Sequence, residues 1–226
     1  RSPSAALSSC SAARTLAATS SRFARAVRVR RSAFSFSWTE RRPSAARASV
    51  RAPWISAVVS ACEQAGARAI AVRADVGDPA DVVRLFERVD AQLGTLRVLV
   101  NNAGFGLDLD FAANAYADEE RHLDLHVRAT MRLSHAALRT MLERERGRII
   151  NVASVAAFMP RGTYGAVKAW IVSFSRWANA VYAPRGVTVT AVCPGFTHTN
   201  FHERLGLDPG QEGIPSFLWL DAESVV

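Results

Sequence analysis

Tyr164 and Lys168 stand four residues apart in the run TYGAVKAW (163–170), a spacing that puts both side chains on one face of a helix. A phenol titrates at about pH 10 unaided, and a neighbouring ammonium favours its ionised form. Tyr164 could then act as general acid or base toward a carbonyl or alcohol oxygen. Lys168 is the single lysine in a chain that otherwise writes its basic side chains as arginine. A compact ammonium with three donors can lie beside a phenolate and also bind sugar hydroxyls, which a planar guanidinium does with different geometry. Taken alone, the pair also fits an ordinary solvated helix face. Ser154 lies just upstream, and its hydroxyl could donate to the oxygen that Tyr164 protonates.

Those side chains need elements to hold them. RAIAVRADV (68–76) is a short apolar run ending near Asp75 and predicts a strand. Asp78 then caps, and Pro79 opens, a helix with Val82, Phe86, Val89 and Leu93 at helical spacing and Gly94 as its stop. RVLVNNAG (97–104) predicts a strand running into a glycine turn. A long helix follows over 116–145, with Leu123, His126, Val127, Leu133 and Leu138 on or near its apolar face. RIINVAS (148–154) predicts another strand, 163–182 a helix striped by Trp170, Phe174, Trp177 and Val181, and VTVTAVC (187–193) a strand stopped by Pro194 and Gly195. Strands alternating with helices, the strands apolar on both faces, predict an α/β fold: a doubly wound parallel sheet with helices on both faces. Ligands bind at the carboxyl edge of such a sheet. Asp75, the NNAG turn, Ser154 and the CPG turn all fall there.

Together, over about residues 62–226, these residues resemble the short-chain dehydrogenase/reductase (SDR) family: Asp75 with Val76, Asn101-Asn102-Ala103-Gly104, Ser154, Tyr164 with Lys168, and Pro194, Gly195 with Thr199. The resemblance implies a single Rossmann-like domain that transfers hydride between NAD(H) or NADP(H) and an alcohol or ketone. It makes Tyr164 the proton donor and acceptor and has Ser154 hold and polarise the substrate oxygen. Lys168 would bind the nicotinamide ribose and lower the tyrosine pKa. Asp75 and Val76 would border the adenine, Asn101 to Gly104 would floor the cofactor site, and Pro194, Gly195 and Thr199 would flank nicotinamide and pyrophosphate. It further implies a cytoplasmic homodimer or homotetramer assembled through the helices around 116–145 and 163–182. Plainer readings stand beside several of these: Asp75 caps a turn, the NNAG glycine ends a strand, and Pro194 stops one.

The chain also departs from the family pattern. Residues 1–61 contain no glycine, so the glycine-rich turn of the first βαβ unit has no counterpart there. AFSFSW (33–38) alternates like a strand but has no partner assigned. His126 in LDLHVRA holds a position where the family carries asparagine; it either holds a water and relays a proton or is a core histidine satisfied by a backbone carbonyl. Only nine residues separate Ser154 from Tyr164, a tight turn that Gly162 makes feasible. The chain ends at WLDAESVV, where the family continues, so the 62–226 domain reads as truncated.

Charge adds little to function. Residues 1–51 hold eleven arginines against one acidic residue, Glu40, so the whole excess behind the net charge of +8 lies in the head. The Arg/Ser-rich head, 1–61, reads as a transit peptide, as a basic arm on nucleic acid, or as GC-rich coding DNA read out of frame. The remainder demands no basic face, no apolar run approaches membrane-spanning length, and Cys10, Cys62 and Cys193 lie in no paired spacing. His198 and His202, with Glu203, are four apart, but no third ligand is evident and no metal site is expected. Phe105, Phe158, Met159, Phe196, Phe217 and Trp219 are candidates to line an apolar substrate pocket. Beside the oxidoreductase stands a second reading, a catalytically silent relic or binding module of the same fold without a cofactor loop.

Overall fold

Short runs of β-branched and apolar residues gain most when they pair side by side and bury one another, and three such runs form the centre of the sheet. The computed structural model describes residues 34–35, 53–198, 215 and 218–221. Strands β1 (Phe34–Ser35), β2 (Val98–Asn101), β3 (Gly147–Val152) and β4 (Val187–Val192) pair in that order, all parallel. Asn101 stands opposite Asn151, and Val152 opposite Val192, so the strands end in step. That level edge is where the NNAG turn, Ser154 and the Pro194-Gly195 turn emerge. Phe34 and Ser35, within the alternating AFSFSW run, lie beside Leu99 and Val100.

Helices α1 (Pro53–Gln64) and α2 (Pro79–Leu93) precede β2, and α1 runs across residue 61. Between β2 and β3 the chain forms α3 (Tyr116–Leu123), a π-helical turn (Asp124–Ala129) and α4 (Thr130–Glu143). Helix α5 (Gly162–Tyr182) joins β3 to β4, and a separate parallel pair, β5 (Phe196–His198) and β6 (Trp219–Asp221), follows. The α2 signals act as expected: Asp78 Oδ1 accepts from Ala80 N–H at 2.9 Å, and Gly94 closes the helix at φ 80°. Val82, Leu85 and Val89 of α2 join Leu99, Leu133, Ala137, Met141, Ile149, Val187 and Val189 in the main core. Each Val, Leu, Ile or Met side chain among them contributes roughly 2 kcal/mol on leaving water.

Three expectations need correction. Residues 68–75 form no strand: no described strand lies beside them, and an apolar run without a ladder partner has nothing to hold it as one. Strand β4 is not buried on both faces, because Val187 and Val189 point inward while Thr188 and Thr190 are exposed. The inner face of α5 is not the aromatic stripe. Val167, Lys168, Ile171, Val172, Ser175 and Ala178 are buried, whereas Trp177 is 55% exposed, and Trp170, Phe174 and Trp177 run along the flank with Trp170 stacked on Phe174. Smaller side chains let a helix approach a sheet closely, and bulky rings are displaced to the side.

The sheet also encloses a polar ladder. Asn101 Nδ2 donates to Ser134 Oγ (3.2 Å) and Asn151 Oδ1 (2.8 Å); Asn151 Nδ2 donates to Ser175 Oγ (2.9 Å), whose hydroxyl donates to the Ile171 carbonyl (2.7 Å). It ties α4, β2, β3 and α5 together through fully buried Asn151. Removing one member strands its neighbours' donors and acceptors, at about 1–3 kcal/mol for each stranded group. Asn151→Ala is therefore expected to lower stability by about 2 kcal/mol or more, read as a lower urea midpoint, whereas Thr188→Ala on the open face of β4 leaves the midpoint nearly unchanged.

Candidate active site

Ser154 follows β3 directly, in extended backbone, and caps the short 3-10 turn Val155–Phe158: its Oγ accepts from Ala156 N–H at 3.1 Å. That turn and Gly162, at φ 60°, bring the chain round so that α5 opens beside Ser154. Tyr164 is in the first turn of α5, and the Ser154 hydroxyl is near enough to its phenol to favour the ionised form. One turn on, Lys168 is 4% exposed; its Nζ donates to the Val152 carbonyl at the end of β3 (2.8 Å) and lies 5.6 Å from the Tyr164 ring centre. The Val155 N–H donates to the Pro194 carbonyl at 3.0 Å, which docks the turn after β4 against the same place. Ser154, Tyr164 and Lys168 are thus one constellation.

Its electrostatics are set by burial. Desolvation lowers the Lys168 ammonium to about 8, an effect that the Cys193 side chain opposes. Burial raises the Tyr164 phenol, against the Ser154 hydroxyl and the charge of Arg161. The Lys168 ammonium is engaged at Val152 and faces the ring, and for the phenol desolvation prevails.

His126 belongs to this cluster. It is 1% exposed in the π-helical turn, edge-on to Tyr164 at 5.9 Å between ring centres, and its Nε2 lies 2.8 Å from the Phe105 carbonyl. The carbonyl-satisfied core histidine therefore matches the geometry, although Nδ1 has no partner. Sequence reasoning overlooked His122, also 1% exposed, with its ring 4.5 Å from His126 and 6.1 Å from Tyr164 and with an unpartnered Nε2. The signal was present, since 122 and 126 share the four-residue spacing of 164 and 168. Burial lowers both imidazoles, His126 the more, so both are neutral at pH 7.

The other expected residues divide. Gly104 abuts the His126 ring: a methyl group on Gly104 would overlap the ring at Cε1. Asn101 is held in the interior ladder with its Oδ1 unpartnered; Asn102 is exposed, and Ala103 packs on the core. Asp75 does cap a turn, its Oδ1 accepting from Gly77 N–H at 2.9 Å, and its own N–H donates to Asp81 Oδ2 at 2.7 Å. Val76 is a core side chain whose carbonyl accepts from Arg132 at 3.2 Å. Pro194 and Gly195 are half-buried, and beside Gly195 Cα there is open space. Phe158 and Met159 are exposed, Phe105 packs edge-on to His122, and Phe196 lies 5.8 Å from Trp219. Thr199, His202, Glu203 and Phe217 lie outside the described residues, as do most of the head and the last five residues.

A family model described as short chain dehydrogenase matches residues 45–209. The chain belongs to the short-chain dehydrogenase family. It is 35% identical over 162 residues to a 3-oxoacyl-(acyl-carrier-protein) reductase of Synechocystis sp., covering 70% of this chain and 66% of that one. It is 34% identical over 167 residues to oxidoreductase UcpA of Escherichia coli (strain K12), covering 71% and 62%. A solved short-chain dehydrogenase from Sphingobium yanoikuyae in complex with NADPH matches with a TM-score of 0.68 at 27% identity, over 79% of this chain and 69% of that one. The bulky-bulky ketone specific alcohol dehydrogenase from Comamonas testosteroni matches with a TM-score of 0.62 at 25% identity, over 76% and 64%. The chain spans about two thirds or less of the length of these curated relatives. Membership bears out the Rossmann-like parallel sheet and an oxidoreductase family that works with NAD or NADP. Among the described residues no helix is long and apolar enough to cross a membrane.

Two outcomes test the geometry. Gly104→Ala is expected to cost about 1–3 kcal/mol by overpacking the His126 ring. The double variant with His126→Ala should be more stable than the two separate losses predict, as a double-mutant cycle of urea midpoints would reveal. For Lys168 the folded value of about 8 lies below the ordinary 10.5. Burying the ammonium therefore costs stability in full below pH 8, and the cost fades as pH rises toward the unfolded value. Relative to Lys168→Met, the parent should gain roughly 2 kcal/mol between pH 7 and pH 10, measured by urea unfolding.

Proposed function

We propose that this chain is an NAD(P)-dependent oxidoreductase that interconverts an alcohol and a ketone or aldehyde on an apolar substrate. The observation that carries the reading is the placement of Ser154 and Tyr164 beside a buried lysine at the carboxyl edge of the sheet. The residues present fit a dinucleotide there: Lys168 Nζ has three N–H groups and donates to the Val152 carbonyl, and open space beside Gly195 lets an aromatic ring approach the backbone. Asp75, Val76, Asn101, Asn102, Ala103, Gly104, Tyr164, Lys168, Pro194, Gly195 and Thr199 would hold it. When bound, the nicotinamide supplies or accepts hydride at the substrate carbon.

The chain's own residues manage the proton. Ser154, whose oxygen is occupied by Ala156 N–H, directs its hydroxyl proton to the substrate oxygen. Tyr164 is protonated at neutral pH because burial raises its phenol, so in the reducing direction it starts as the acid that gives its proton to the same oxygen. Lys168 fixes the ribose side of the site by charge and position. Exposed Phe158 and Met159, on the turn between Ser154 and Tyr164, favour an apolar substrate. Partial exposure of Met131 on α4 and of Trp177 and Val181 on α5 supports assembly as a homodimer or homotetramer through these helices.

The reading is tested by titrating the protein with NADH and NADPH, following nicotinamide fluorescence, and then assaying ketone reduction. Saturable binding and turnover are expected, with Tyr164→Phe reducing kcat by roughly 100-fold or more while cofactor affinity holds within a few-fold. A Tyr164→Phe protein as active as the parent would refute the assignment of the acid. Absence of binding to either nucleotide would favour the silent relic.

A further inference from the structure

We propose that His122 is a positioning residue of this site: in its neutral form it packs, with His126, against the Tyr164 ring and holds the phenol beside Ser154, and protonation of His122 releases that hold, so that the site loses its packed form on the acid side. The inference rests on the oxidoreductase reading above and extends it to a residue outside the constellation of Ser154, Tyr164 and Lys168.

The packing is specific. The Tyr164 ring has His126 at 5.9 Å with planes at 87°, His122 at 6.1 Å, and the Lys168 ammonium at 5.6 Å. Phe105 stands edge-on to His122 at 5.3 Å and completes the enclosure. Both imidazoles are 1% exposed, and His122 Nε2 and His126 Nδ1 are buried without a partner. An unpartnered buried nitrogen costs free energy that a phenylalanine at the same place would not. What an imidazole adds to ring packing is a proton-dependent charge near neutral pH.

The surroundings decide which imidazole responds. Three groups act on His122: the Glu119 carboxylate one turn earlier in α3, which favours the cation; the Lys168 ammonium from α5, which opposes it; and the Phe105 carbonyl, which favours it. Asn114 Nδ2 holds Glu119 Oε1 at 2.8 Å. His126 faces Lys168, His122 and the same Phe105 carbonyl, with no carboxylate acting on it. Tyr164 faces Ser154 and Arg161, and Lys168 faces Cys193. His122, beside the only carboxylate of the group, therefore takes up a proton before His126. A cation then arises in a dry enclosure that already contains an ammonium, and the enclosure must open to hydrate it. The loop at Gly104 and Phe105 is part of that wall, so opening disturbs both the phenol and the floor beside it.

The sign follows from the direction of the shift. The His122 value lies below 6.5 in the folded chain, so the packed state is favoured above the ordinary histidine range and loses stability as pH falls through it.

The test uses the full chain with 15N-labelled histidine and amide groups, observed by NMR without cofactor from pH 8 to pH 4.5. His122 is expected to titrate before His126, with loss of Phe105 amide protection and movement of the Tyr164 ring signals at the His122 midpoint. In His122→Phe these Phe105 and Tyr164 changes should move at least tenfold in proton concentration toward acid. Titration of His122 without any response at Phe105 or Tyr164, or an unmoved response in His122→Phe, overturns the proposal. Kinetics supply the second measurement: His122→Phe retains kcat at pH 7.5 within about twofold with its acid limb displaced, whereas His122→Ala loses roughly tenfold in kcat at unchanged cofactor affinity. Equal activity of His122→Ala and the parent across the pH range also overturns it. A parent chain that transfers no hydride would refute the oxidoreductase reading alone, because the NMR titration decides the role of His122 without turnover.

Discussion

One ammonium group organises this molecule. Lys168 is buried, and its Nζ ends on the Val152 carbonyl, the last of β3. An ammonium is taken out of water at a cost of several kcal/mol unless its surroundings answer it. Here the answer is the carbonyl at the end of β3, one residue beyond Asn151, where the register with β2 ends. For the lysine to reach it, α5 must cross β3 and β4 closely, and its inner face accordingly carries Val167, Ser175 and Ala178 rather than its tryptophans. Tyr164, one turn earlier on the same face, is then delivered to Ser154 without further constraint. Charge, strand end and helix approach are one problem with one solution.

The polar ladder through Asn101 and Asn151 serves the same end from inside. Apolar residues would fill the gap between α4, the sheet and α5 at similar stability, but they can slide. Hydrogen bonds at 2.7–3.2 Å fix how far α5 lies along β3, and with it where Lys168 and Tyr164 arrive. Asn101 is thereby doubly committed, with its side chain in the interior and its backbone leading into the turn at Asn102. An asparagine read from its motif as a floor residue acts first as a beam.

What the sequence made legible was local. The caps of α2, the helix bearing Tyr164 and Lys168, and the strands ending at NNAG, Ser154 and Pro194 all follow from signals a few residues long. What it hid depends on partners far away in the chain. RAIAVRADV has the composition of a strand, but a strand also needs a neighbour, and none of the described strands stands beside it. The stripe Trp170, Phe174, Trp177 and Val181 is a correct hydrophobic period that runs beside the buried face of α5, because periodicity registers hydrophobicity and close helix–sheet approach selects for size. His122 sits in EERHLD, a stretch that looks solvated; it is buried because Phe105, seventeen residues earlier, folds over it. The four-residue spacing to His126 puts the two rings on one face, but that this face is buried comes from the distant Phe105.

The same long-range packing changes the meaning of a family glycine. Gly104 ends the NNAG run, which within the family resemblance would floor the cofactor site. In this chain its missing side chain is filled from behind by the His126 ring. The His126 ring and the glycine are fitted to each other between the turn after β2 and the π-helical turn. A π-helical turn admits an extra residue per turn and lets a bulky ring point inward where an α-helix would crowd it. Histidine, glycine and helix distortion are therefore one packing arrangement in this chain. Its consequence is a second aromatic wall around Tyr164, built from imidazoles that must remain neutral to stay buried.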